Sequence, residues 1–297
     1  MPTLVAGRRG MTLVELLVAL VLLGIVSAGI YRVLVNNQRI YQAQTQRIDL
    51  QQNVRAAMNI LPAEFRELAA TEGDILAMGA NSITIRAMRQ LAIACAAPVL
   101  GLPAAAIMIR TQPFFSTRDF VVGDRIFVYY EGDQATRNDD SWVPGTITAI
   151  ANGDCPGLPI GDGRVITATL TFGTVTAPSG VVLNQFNQTG RIQSGAPIRG
   201  WEPVTYRLQQ GADANWYIYL IDASGTQPLI GPVLPNGFQM TFYDSTGAVT
   251  NNPALVASIQ VMVQGHTLQP IRQMDGTLGQ PVDSMQTRVA LRNNRRF

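Results

Sequence analysis

The sequence predicts an α+β protein in which one long amino-terminal helix precedes an antiparallel, β-rich globular domain. Three observations carry this. A run from Leu16 to Ile30 holds no charge, and only Gly24, Ser27 and Gly29 interrupt its Leu, Val, Ala and Ile. Apolar residues then recur with a helical period as far as Leu68. After Glu72-Gly73-Asp74 the apolar period drops to two, the period of half-buried strands.

The composition fits such a chain. Among 297 residues, 47% are apolar and 14% charged, which excludes a disordered, highly solvated polymer. All 22 basic residues are Arg, and the formal net charge of +2 is too weak by itself to imply a nucleic-acid binder. One histidine and two cysteines exclude a Cys/His zinc site with four ligands.

The first element is the apolar run. Extended back through Met11–Val14 and forward to Val35, it is long enough to cross a bilayer of about 30 Å at about 1.5 Å per residue. Glu15 interrupts its start and Arg32 its end, and Arg8 and Arg9 precede it, which favours a cytoplasmic amino end. A secretory signal peptide fits poorly. Ser27-Ala28-Gly29 is the nearest candidate cleavage site, and the helical pattern continues past it. Gly24 and Ala28 form a small-xxx-small pair that permits close helix approach, although chance accounts for it equally well.

The segment Arg8-Arg9-Gly10-Met11-Thr12-Leu13-Val14-Glu15-Leu16-Leu17-Val18-Ala19-Leu20 resembles the class III signal of type IV prepilins and pseudopilins. That pattern joins a short basic leader, a Gly, a hydrophobic residue and a Glu fifth after the cut. The resemblance implies a leader over 1–10, cleavage by prepilin peptidase between Gly10 and Met11, and N-methylation of Met11. Met11 departs mildly from the Phe usual at that position. It further implies that Glu15 meets the new amino terminus of a neighbouring subunit. A carboxylate in hydrocarbon costs several kcal/mol, so such a residue needs a partner. Placement of Glu15 in the headgroup region is the alternative.

The helix then continues over 36–70, beyond a membrane span at 11–35. Val54, Met58, Leu61, Phe65 and Leu68 share one face, and Gln51, Gln52, Arg55, Asn59, Glu64 and Arg66 mostly occupy the rest. Pro62 predicts a kink near Met58, or a break with a new helix starting at Pro62. The stretch Val54–Ala70, with Arg55, Leu61 and Arg66, is similar to the corresponding part of PilW-type minor pilins.

Strands follow within 71–297. Ile83 and Ile85; Val204, Tyr206 and Leu208; Phe238, Met240 and Phe242; Ile259, Val261 and Val263; and Val289 and Leu291 are the alternating apolar sets. Asp222-Ala223-Ser224-Gly225 and Asp244-Ser245-Thr246-Gly247 carry the Asp-first, Gly-fourth signature of type I turns. The carboxy-terminal order of strands resembles PilW-type minor pilins and the J-type pseudopilins of type II secretion. The region of about 95–200 resembles neither and reads as an insert, with strands over 124–130, 145–151 and 164–172.

Little chemistry presents itself. His266 has no neighbouring nucleophile motif and reads as a surface or edge residue. Glu131, Asp133, Asp139 and Asp140 are spaced too irregularly for a calcium loop and read as a solvated hairpin tip. Arg292, Arg295 and Arg296 read as a solvated tail. No phosphate-binding, dinucleotide-binding or nucleophile-elbow motif occurs, so neither enzymatic activity, metal nor cofactor is expected. The compartment implied by the prepilin resemblance is oxidising, which makes a Cys95–Cys155 disulfide the expectation over two buried free thiols.

These readings converge on a minor pilin or pseudopilin. It would be anchored in the inner membrane with its carboxy-terminal domain in the periplasm, and then pass into a filament with other major and minor pilins or pseudopilins. The globular part, more than 220 residues (71–297), would crowd a repeating shaft and suits a subunit that initiates or caps a filament. The alternative is a filament-tip binding module, an adhesin or DNA-uptake pilin using the 95–200 insert, which an exposed aromatic or Arg patch would favour. Nucleic acid is not the partner that net charge suggests.

Overall fold

The computed structural model describes residues 12–101, 104–110, 118–132, 140–157, 159–176, 182–184, 192–273 and 276–292. Helix α1 spans Leu13–Arg66, 54 residues or about 80 Å. Pro62 does not break it. The residues on either side of the proline's turn, Leu61 and Phe65, are fully buried against the sheet, so packing offsets the one lost helical hydrogen bond. The helix ends at Arg66 rather than near residue 70. The Asp74 carboxylate accepts the Ala69 N–H at 2.9 Å, and Ala70–Glu72 form a 3-10 turn. The Arg66 carbonyl, left over at the helix end, accepts the Arg292 N–H at 2.9 Å.

The strands are β1 (Ile75–Gly79), β2 (Ser82–Ile93), β3 (Val99–Gly101), β4 (Ala104–Arg110), β5 (Arg125–Tyr130), β6 (Ser141–Gly153), β7 (Gly163–Leu170), β8 (Thr174–Thr176), β9 (Val182–Asn184), β10 (Pro197–Gln210), β11 (Trp216–Asp222), β12 (Gly225–Tyr243), β13 (Ser258–His266), β14 (Ile271–Arg272), β15 (Leu278–Gly279) and β16 (Val282–Ala290). Among the described residues, twelve of them form one antiparallel sheet. Its main path is β16-β13-β12-β11-β10-β5-β6-β7-β4-β3, with β2 on β10 and β1 on β2. The pairs β8–β9 and β14–β15 stand apart. At Asp222–Gly225 the two outer residues pair directly, and at Asp244–Gly247 the Gly247 N–H returns to the Asp244 carbonyl at 3.1 Å, so both segments are turns as read.

Two cores lie along this sheet. The first joins Ala57, Leu61, Phe65 and Leu68 to Ile83, Ile85, Val204, Tyr206, Leu208, Phe238, Met240, Phe242, Ile259, Val261, Val263, Val289 and Leu291. Every apolar position expected from strand alternation is therefore buried. Leu50 and Ala57 extend the helix face beyond the expected set, and Met58 is only partly buried. Gly265 lets the helix approach, because a Cβ there would stand 2.8 Å from Leu50 and 3.0 Å from Val54. The second core belongs to the insert. It gathers Ala92, Ala94, Ile107, Ile126, Val128, Val143, Ile147, Ile166 and Ile198.

The insert is thus not a separate sheet. It opens and closes where the Ala94 N–H donates to the Ala196 carbonyl at 2.9 Å and the Gly195 N–H to the Ala94 carbonyl at 2.7 Å, and β10 carries the ladder across: Ile198–Trp201 pair with β5 and Thr205–Gln210 with β11. Between the cores, Gly200 pairs with Gln90 and Trp201 with Met88, which leaves Arg89 as a bulge residue.

Candidate functional site

The described part of the amino-terminal segment begins at Thr12; Gly10, Met11 and the leader arginines lie outside the described residues. Thr12 is the N-cap of α1. Its Oγ1 accepts the Glu15 N–H at 3.2 Å, and the Glu15 carboxylate accepts the Thr12 N–H at 3.4 Å. This capping box satisfies two of the helix's orphan donors and sets a carboxylate at the positive end of its dipole. The Thr-x-x-Glu spacing is the signal in the sequence that marks it.

Beyond the cap, the helix surface is apolar and uncovered. Its most apolar 18-residue window has a mean hydropathy of 2.6 with no residue buried, and Leu13 is 81% exposed. A Cβ added at Gly24 or Gly29 would meet nothing within 4 Å, so the small residues stand open. In water such a surface would cost about 25 cal/mol per Å² of apolar area, so this half of α1 belongs in a bilayer or against other helices.

Cys95 and Cys155 form a disulfide with Cα atoms 5.6 Å apart. It ties the end of β2 to the loop after β6, within the insert.

The other singled-out residues are scattered. His266 is not a surface residue. It lies on β13 between β12 and β16, 9% exposed, with Nδ1 2.9 Å from the Thr267 carbonyl; closing the sheet on both sides of β13 buries it. Asp140 accepts the Tyr129 hydroxyl at 2.6 Å and the Gly132 N–H at 3.2 Å. Asp133 and Asp139, and likewise Arg295 and Arg296, lie outside the described residues. The Arg292 backbone caps α1, as described above. Arg55 and Arg66 are exposed on the helix, and Leu61 is buried beneath it.

A second feature was invisible in sequence. On the side of the sheet away from α1, Phe127 of β5 and Trp201 of β10 stack at 5.6 Å and 17°. The Arg86 guanidinium lies 5.3 Å and 5.0 Å from those two ring centres, and Arg125 lies 5.2 Å from Trp201. Arg199 sits 4.2 Å over Trp142, which also meets Tyr129 edge-on at 5.4 Å. Beside them a cavity of about 190 Å³ is lined by Glu72, Asp74, Met88, Phe127, Ser141, Trp142 and Arg199. Burial raises the pKa of the Asp74 carboxyl above its ordinary value, against its hydrogen bond from Ala69 and the nearby charges of Arg86 and Arg199.

Comparison with known proteins gives one match. Residues 6–31 match the family described as Prokaryotic N-terminal methylation motif. No curated protein and no solved structure matches the chain. The matched segment covers the basic residues, Gly10, Met11, the capping box and the first half of the exposed apolar helix. The amino-terminal segment therefore carries a prokaryotic methylation motif on an apolar helix that suits membrane anchoring, which is the organisation of a type IV prepilin-like protein.

Proposed function

We propose that the protein is a minor pilin or pseudopilin. In this reading the chain is cleaved between Gly10 and Met11 by prepilin peptidase, N-methylated at Met11, held in the inner membrane with its β-rich domain in the periplasm, and drawn into a filament where it initiates or caps assembly. The observation that carries the reading is the methylation motif at 6–31 on a helix whose apolar half has no partner in its own fold. Glu15 serves first as a cap in the single chain and then as the acceptor for a neighbour's amino terminus, which lacks its own partner once the leader is gone.

Glu15→Gln tests this, because glutamine retains the capping box and removes only the charge. Expressed in a strain lacking the native gene, Glu15→Gln and Glu15→Val should reach normal membrane abundance and lose filaments or secreted product. Thr12→Ala, which loses the cap but keeps the charge, should assemble. Wild-type assembly by Glu15→Val overturns the docking role.

The arginine–aromatic surface favours a second, compatible reading: a binding module displayed at a filament tip. Phe127, Arg125 and Trp142 belong to the insert, and Arg199 and Trp201 to the strand that closes it.

A further inference from the structure

We propose that the outer face of β6, β5, β10 and β2 binds single-stranded nucleic acid. The proposal rests on the binding-module reading and names its ligand class.

Strand alternation places the site. Ile126, Val128, Val143 and Ile198 turn inward to the insert core, so Arg125, Phe127, Trp142 and Arg199 project from the opposite side of the same strands. On β2 and β10, Ile85 and Val204 are buried in the helix-side core, which sends Arg86 outward; Trp201, at the bulge, joins the outward group through its ring contacts. Two of the chain's three tryptophans lie here, so the concentration of aromatic surface is local rather than average.

Charge gives the sign of the ligand. Among the described residues, Arg86, Arg125 and Arg199 form no ion pair, whereas Arg89, Arg118 and Arg164 each do. Asp74 is the acid whose field reaches Arg86 and Arg199, but it is buried and its carboxylate is taken by the Ala69 N–H. Arg86 already donates Nη1 to the Glu72 carbonyl at 3.1 Å and serves to pack the rings, so Arg125 and Arg199, each held on a ring, are the guanidinium groups left to meet anions. Such an arginine keeps its full charge with less freedom to lose on binding.

Geometry gives the ligand class. Four adjacent strands at about 4.8 Å spacing make a band about 15 Å wide, which matches a few nucleotides of an extended chain. Nucleic acid uses both features of the face: phosphates neutralise the arginines, and bases stack on the guanidinium planes that cover the rings. An acidic glycan would use the charge alone. A neutral glycan would need bare ring faces, which the arginines already occupy. The 190 Å³ cavity beside Trp142 is suited to one unstacked base. Net charge missed this site because +2 over the whole chain averages a local cationic band with acids elsewhere.

The test uses the full chain in detergent micelles and a fluorescein-labelled oligothymidine of about 20 nucleotides, a length covering one or more such sites, read by anisotropy at several salt concentrations. Binding should weaken with salt. Arg125→Ala, Arg199→Ala and Trp142→Ala should each lower affinity about tenfold, while Arg207→Ala, on β10 outside the band, should not. Arg125→Lys and Arg199→Lys should recover only part of the loss, since lysine restores charge without the planar stack. Variants are compared only where their thermal unfolding matches the wild type; Arg125 is the most exposed of the set and carries the test if Trp142→Ala fails to fold. Equal affinity for duplex DNA, or equal competition by polygalacturonate, overturns the proposal in favour of a general polyanion surface. Binding of polygalacturonate or a neutral glycan without oligothymidine overturns the ligand class and spares the binding-module reading. Binding of none of the three overturns the nucleic-acid proposal and removes the support for a binding module, and leaves the assembly role untouched.

Discussion

Arg89 and Glu64 join the helix to the sheet: Arg89 Nη1 lies 2.8 Å from Glu64 Oε1, while its Nε reaches Glu202 Oε1 at 3.0 Å. The three side chains are 20–24% exposed. They sit at the bulge where the two cores meet. Burial opposes the Arg89 charge, but the hydrogen bond and field of Glu64 and the hydrogen bond to Glu202 outweigh it and hold the pKa above its ordinary value. Arg89→Met keeps the apolar stem and leaves two half-buried carboxylates facing each other, so it should destabilise the domain by about 2 kcal/mol in denaturant titration. Adding Glu64→Gln and Glu202→Gln should restore most of that loss. A triple variant no more stable than Arg89→Met would show that packing of the arginine stem, rather than charge, matters here.

Processing has a direct readout. Mass spectrometry of the mature chain should find Met11 as the first residue, one methyl group heavier. A chain beginning near residue 30 would indicate an ordinary signal peptidase and end the prepilin reading.

The disulfide closes a loop with a sequence separation of 60. Loop-closure entropy alone assigns it roughly 4 kcal/mol. Cys95→Ala/Cys155→Ala should lower the unfolding free energy by up to about that amount, and because β4–β7 hold the second core, hydrogen exchange should quicken there before it does in β12, β13 and β16. Uniform quickening across both cores would show that they unfold as one unit.

Asp74 makes stability depend on pH in an unusual direction. Its folded pKa is raised above 3.8, chiefly by burial, so the folded state binds the proton more tightly than the unfolded one. This contribution is fully present below the unfolded value and is lost as pH rises through the folded value. Asp74→Asn, whose amide oxygen can still accept the Ala69 N–H, should lose less stability between pH 3.5 and pH 7, values chosen to bracket the ordinary carboxyl range. Identical pH profiles for the two proteins would remove Asp74 as the cause.

Gly265 tests the helix seat. Gly265→Ala places a methyl against Leu50 and Val54 and should cost about 1–3 kcal/mol by overpacking. Pairing it with Leu50→Ala should recover part of the cost, and a simple sum of the two losses would mean that the contact is not shared.

Local pattern by itself determined much of this protein. The amino-terminal motif is a contiguous string in a fixed register, so Gly10, Met11 and Glu15 needed no fold to be found. The helix face and the strand sets around Ile83, Val204, Phe238, Ile259 and Val289 were legible because period reports which face is buried. The same periodicity overextended α1 toward residue 70, since it does not register that Asp74, several residues on, takes the Ala69 N–H. Pro62 looked like a break because propensity carries no information about a sheet that seats Leu61 and Phe65. Only the tertiary structure decided that the insert continues the same sheet, because that depends on β10 pairing with β5 and β11 along different halves of its length. It also brought Arg86, Arg125, Phe127, Trp142, Arg199 and Trp201 together. These residues stand on four strands up to 115 positions apart in the chain (86 to 201), and their approach is set by long-range strand register, which no local pattern encodes.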